Sequence, residues 1–155
     1  LIIYINWNAM ENENNLNYKI HCELILVSDN ITSDKVSELM EIEPYRAYNK
    51  GESFQSKKSG TKGKRHNSLW AIKTEPIMTE EEDISSHVLY FKTLLENKIE
   101  KIKKLKVDPK NEISFWIWIE TNAGGAGFEI PETDLKFIND ISNRLSVSIV
   151  ANENI

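Results

Sequence analysis

Apolar and polar positions along the chain follow two periods, and the alternation between them divides the sequence into elements. In NYKIHCELILVSD, Tyr18, Ile20, Cys22, Leu24 and Leu26 alternate with Lys19, His21, Glu23, Ile25 and Val27. That is the period of a strand with one drier face. ITSDKVSELMEI then shifts to helical spacing, with Thr32 as N-cap, Val36, Leu39 and Met40 inward, and Pro44 barring continuation. SLWAIKT returns to strand character, placing Trp70 and Ile72 on one side. Beyond it Ile84, Val88, Phe91, Leu95, Ile99 and Ile102 form one apolar stripe. Thr79 and Glu82 offer a capping box, and lysines crowd the far end, so a single long helix is predicted.

EISFWIWIET is the strongest strand, with Ile113, Phe115, Ile117 and Ile119 on one face and Ser114, Trp116, Trp118 and Glu120 on the other. The glycines of NAGGAG then read as a hairpin turn into a short returning strand, GFEI. ETDLKFINDISN predicts a helix burying Leu135, Ile138 and Ile141, with Asn143 as a left-handed C-terminal cap, and LSVSIVA closes as a strand. Such an order, with one-sided patterns on both element types, predicts an α+β two-layer sandwich. Its sheet is mixed, mostly antiparallel and of about five strands, with three helices mainly on one face. Residues 45–67 are polar, carry Gly51, Gly60 and Gly63, and read as a long loop or as partly disordered.

At 155 residues, with 40% hydrophobic and 28% charged, the chain reads as one soluble domain, and no apolar run reaches membrane-spanning length. The single cysteine, Cys22, has no partner for an intrachain disulfide, which fits a reducing compartment, and a cytoplasmic location is expected. The opening LIIYINWNAM lacks a basic start and a cleavage pattern. Set against the end of a common purification tag, ENLYFQSNAM, it agrees at Tyr4, Asn8, Ala9 and Met10, so residues 1–9 read as a tag remnant and residues 10–155 as the domain. The alternative is a genuine N-terminal strand.

Charge is unevenly spread. Seven basic residues between Pro44 and Asn67 face one acid, Glu52, so this segment carries +6 within a chain of net charge −5. The acidic remainder argues against broad nucleic-acid binding.

The run TSDKVSELMEIEP, followed by NKGE, a variable loop, SLWAI, a long helix and GGAGFEIPETDLKFI with a terminal strand, resembles the bacterial family called domain of unknown function 4279. The resemblance covers nearly all of residues 18–151. It implies a small bacterial α+β domain with no established reaction, whose landmarks are the Pro44 segment, Lys50-Gly51 and Trp70. At Glu41 this chain departs from the glycine that typically ends the first helix there, which places the end of that helix in question.

Candidate chemistry is sparse. NAGGAG matches neither phosphate-loop pattern, and no helix starts directly after it. His21, His66 and His87 have no metal-ligand spacing, and no metal or other cofactor is expected. His21 and Cys22 are strand neighbours that point to opposite faces, which rules out a nucleophile and base pair. The acids Glu80 to Asp83 suit dipole compensation at a helix start better than acid-base work.

Two features point to recognition. Arg46, Lys50, Lys64 and Arg65, near the roots of the basic loop and beside Tyr45 and Tyr48, suit an anionic partner. Trp116 and Trp118, opposite the core face and near His21 and Glu23, demand cover from the loop, from a second copy or from another partner. A non-enzymatic protein-binding domain is therefore expected, of which a toxin-neutralising immunity protein is a specific form. The alternative is a small enzyme or binder acting on an anionic ligand through Arg46, Lys50 and Arg65.

Overall fold

The computed structural model describes residues 1–6, 18–79, 84–122 and 125–152. In chain order its elements are β1 (Ile2–Asn6), β2 (Tyr18–Ser28), α1 (Ser33–Met40), β3 (Arg46–Tyr48), β4 (Ser53–Gln55), β5 (Lys62–Lys64), β6 (Ser68–Lys73), β7 (Ile77–Thr79), α2 (Ser85–Leu95), α3 (Ile99–Val107), β8 (Asn111–Thr121), β9 (Gly125–Glu129), α4 (Glu132–Ile141) and β10 (Arg144–Ala151). The main sheet runs β10-β8-β2-β6-β3, with β7 also pairing β2. Only β10 and β8 are parallel; every other pair is antiparallel. This is the mixed, mostly antiparallel α+β sheet that the sequence predicts.

Alternation along β2 and β8 decides which face is covered. Ile20, Cys22, Leu24 and Leu26 join Ile113, Phe115, Ile117 and Ile119 in one buried cluster with Val36, Met40, Val88, Phe91, Ile102 and Ile138 from the helices. All four described helices lie on this face. The count exceeds the expected three because the long stripe is broken: residues 96–98 form a turn in which Lys98 N–H donates to the Leu95 carbonyl at 2.8 Å. The break lets α2 pack on β2 while α3 packs on β8 and α4. Since Leu95 and Ile102 are buried on either side of it, the apolar stripe stays continuous and hides the interruption.

Other boundaries shift for local reasons. Thr79 ends β7, and α2 follows Ile84 without a side-chain cap. Glu80 to Asp83, including the capping-box Glu82, lie outside the described residues. Asn143 is no left-handed cap, because α4 ends at Ser142 in extended geometry. Instead Asn143 clamps β8, its N–H donating to the Ile113 carbonyl at 2.7 Å and its Oδ1 accepting from Ile113 N–H at 3.1 Å.

The returning strand β9 pairs antiparallel with β1, matching Ile2 to Glu129 and Asn6 to Gly125, and among the described residues forms no ladder with β8. Both edges of β8 are already taken, by β2 and β10. Ala123 and Gly124 of the glycine stretch lie outside the described residues.

The predicted 45–67 loop contains three short strands. β3 adds to the edge of β6, and β4 and β5 form a hairpin. Gly63 sits opposite Phe54, and a Cβ there would come within 2.9 Å of the ring, so a larger residue would have to displace the Phe54 side chain. Arg65 lies with its guanidinium carbon 4.0 Å from the Tyr48 ring centre and 4.4 Å from that of Phe54, which ties the hairpin to the sheet.

Thr32 Oγ1 accepts from Lys35 N–H, so α1 starts with the predicted cap. It ends with Glu41 in the left-handed region at φ 53°, the conformation that glycine adopts without steric cost. Lys101 from α3 donates to the Leu39 carbonyl at 2.8 Å and pairs with Glu41 at 3.2 Å, supplying a cationic cap. Glu41→Gly relieves the backbone strain and gives up only an exposed ion pair. It is expected to raise the thermal unfolding midpoint by about 2–4 °C in calorimetry.

Candidate functional site

The face of the sheet that carries no helix is built by the same alternation. Across β8 and β2, Trp118 lies opposite His21, Trp116 opposite Glu23 and Glu120 opposite Lys19, while Glu23 faces Lys73 of β6 on its other side. The tryptophans stack on each other with ring centres 5.1 Å apart and planes 14° off parallel. His21 extends the stack, its ring 6.0 Å from that of Trp118 and 8° off parallel. Both indoles are half-buried. Among the described residues no hydrogen bond or ring contact joins the 45–67 segment to either of them. Among the described residues the indole N–H of Trp118, closed off from water, has no hydrogen-bond partner, a cost of about 1–3 kcal/mol.

Glu23 is the unusual member. It is 7% exposed on a face without a helix, and a buried carboxylate needs compensation. Tyr45 hydroxyl donates to its Oε1, Arg46 Nη2 lies 3.7 Å from Oε2, and His21 Nε2 lies 3.9 Å from Oε1. Burial lowers the pKa of His21 and outweighs the pull of Glu23, so the imidazole is neutral near pH 7 and the pair is not a salt bridge there. Lys73 Nζ stands 5.1 Å from the centre of the Tyr45 ring. Desolvation first, and then the hydrogen bond to Glu23, pushes the Tyr45 phenol up to about 12.

The remaining candidates are dispersed. Of the basic residues singled out by sequence, only Arg46 joins this face. Lys50 pairs with Asp29 at 3.0 Å, Arg65 is held between Tyr48 and Phe54, and Lys64 is exposed on β5. They do not converge on one anion site. Lys50 and Asp29 lie beside an open polar groove of about 430 Å³ at the end of the sheet, whose walls include Asp29, Lys110, Glu112 and Arg144. There too opposite charges are matched, with Arg144 Nη1 3.0 Å from Glu112 Oε1.

Cys22 and His21 do point to opposite faces. The thiol is buried in the helix-side core, where desolvation raises its pKa far above the ordinary value. His87, whose burial the sequence did not signal, lies in the same core with Nδ1 2.7 Å from Thr74 Oγ1, which also accepts from Cys22 N–H. It joins α2 to the sheet. Among the described residues, no three His, Cys, Asp or Glu side chains are grouped to hold a metal ion, and no helix is long and apolar enough to cross a membrane. The open face carries stacked aromatic area and matched charge.

Sequence could have found Glu23 from its position, as the one acid on a strand face shared with Ile25 and Val27. Nothing local links Glu23 to Tyr45, which precedes β3, or to Lys73 of β6, its register partner.

The raised Tyr45 pKa stabilises the fold below pH 10, the ordinary tyrosine value, and that contribution is lost as pH rises toward about 12. An absorbance titration of tyrosinate should show a step near 12 that is absent in Tyr45→Phe. A wild-type titration lacking that step would contradict the Tyr45–Glu23 hydrogen bond.

No curated protein and no solved structure matches the chain. The sequence profile of a family described as domain of unknown function (DUF4279) matches residues 18–152. That span takes in β2 through β10, both faces of the main sheet and all four helices, and the chain belongs to this family.

Proposed function

We propose that this protein is a non-enzymatic protein-binding domain whose helix-free sheet face, centred on Trp116 and Trp118, is the docking surface. The observation that carries the reading is the stacked Trp116, Trp118 and His21 group, half-buried on a face that none of the four described helices covers. Aromatic side chains of this size bring large contact area at small entropic cost, and such residues dominate interface energetics. Arg46, Lys73, Lys19 and Glu120 surround them and supply the polar rim that fixes orientation.

Dispersal of the loop cations onto Asp29, Tyr48 and Phe54 weighs against an anionic-ligand site there. The chain's small size and net charge of −5 suit a cytoplasmic bacterial protein that neutralises a basic partner, of which a toxin-immunity protein is the specific form.

The test compares wild type with a Trp116→Ser, Trp118→Ser double variant as bait against a lysate of the source organism and against the co-expressed products of adjacent genes. The expected outcome is a partner whose affinity falls at least about tenfold in the double variant, while circular dichroism and cooperative unfolding are retained. A partner held equally by both baits would place the function elsewhere.

A further inference from the structure

The two ends of the sheet are protected to very different degrees. At one end β3 is three residues long, follows closely on Pro44 and begins with Arg46. Shortness, proline and charge are the usual devices that keep an edge from pairing. At the other end β10 is eight residues long, and Leu145 through Ala151 contain no charge and no proline. Among the described residues no segment pairs with its outer side. A long, apolar, unpaired edge is a template for a further strand.

We infer that β10 is a self-association edge, on which two copies of this chain pair antiparallel about a two-fold axis at Val147. The backbone groups available for this can be assigned. Asn152 N–H donates to the Thr121 carbonyl at 2.9 Å, one residue past the register pair of Ala151 with Thr121. Backbone groups alternate sides along a strand, so the N–H and C=O of Leu145, Val147, Ile149 and Ala151 point away from β8.

Side chains select a second copy of this chain as the occupant. Leu145, Val147 and Ile149 lie in register with Phe115, Ile117 and Ile119 on the helix side, and each is only partly buried against the core. In an antiparallel pairing centred on Val147, Leu145 faces Ile149 and Val147 faces its own copy. On the open face Ser146 meets Ser148, and Arg144 falls opposite Val150, so no like charges meet. The strand is its own complement in size and in charge, as an isologous contact requires. Two tryptophan pairs would then share one continuous face, about 14 Å apart across three inter-strand spacings. The inference rests on the edge alone and holds whether or not the tryptophan face binds another protein.

Sedimentation equilibrium of the full chain over micromolar to sub-millimolar concentrations tests it, together with Val147→Pro. Proline at 147 removes an outward N–H and leaves the β8 ladder its bonds. Wild type is expected to approach twice 17.9 kDa with rising concentration, and the variant to associate at least about tenfold more weakly with unchanged circular dichroism. A wild type that stays monomeric throughout overturns the inference. So does a dimer that survives Val147→Pro but is lost in the Trp116→Ser, Trp118→Ser variant, since its interface would be the open face. Should Val147→Pro fail to fold, hydrogen exchange of the wild type decides. Protection of the Leu145, Val147 and Ile149 amides that grows with concentration supports the pairing, and uniformly fast exchange at every concentration overturns it.

Discussion

Everything in this molecule is referred to the antiparallel ladder between β2 and β8, which runs from Tyr18 opposite Thr121 to Ser28 opposite Asn111. Eleven consecutive pairs leave no freedom of register, because a slip of one residue would turn Ile113, Phe115, Ile117 and Ile119 to water and the tryptophans into the core. The ladder thereby sorts side chains to two faces. One is dry enough to hold four helices, and the other is left to whatever its own side chains can do. It also fills the inner edges of both strands. β10 can reach only the far side of β8, β6 only the far side of β2, and β9 must find its partner in β1.

The helix-free face is held by an unusual compromise. A carboxylate beneath aromatic rings is costly unless its charge is met, and Glu23 is met by Tyr45, by Arg46 and, across the register, by Lys73 near the Tyr45 ring. Tyr45 and Arg46 come from the segment that carries the chain's excess positive charge, and Lys73 from β6. The link converts part of that segment into an edge strand, while Arg65 between Tyr48 and Phe54 ties down the hairpin that follows. Arg46, Lys50 and Arg65 of this region are thus engaged within the protein, while Lys57, Lys58, Lys62 and Lys64 are exposed.

Glu41 holds a left-handed turn that glycine would adopt without steric cost. The turn is imposed by the need to carry the chain from α1 to Pro44 and the sheet edge, and Lys101 from α3 compensates at the helix end.

What the sequence determined by itself is what periodicity alone can encode. The alternation in β2 and β8, the inward residues of α1, α2 and α4, and the opposite faces of His21 and Cys22 are all local consequences of spacing. The broken helix, the strands β3 to β5 and the pairing of β9 with β1 were decided by tertiary structure. In each of these a segment with weak or continuous local pattern is assigned by which sheet edge or core face is still vacant. The candidate site divides in the same way. Trp116 and Trp118 could be read from one strand, whereas the Glu23 cluster exists only where β2, β6 and the edge strand meet, because cross-strand neighbours are set by register and no one segment contains it.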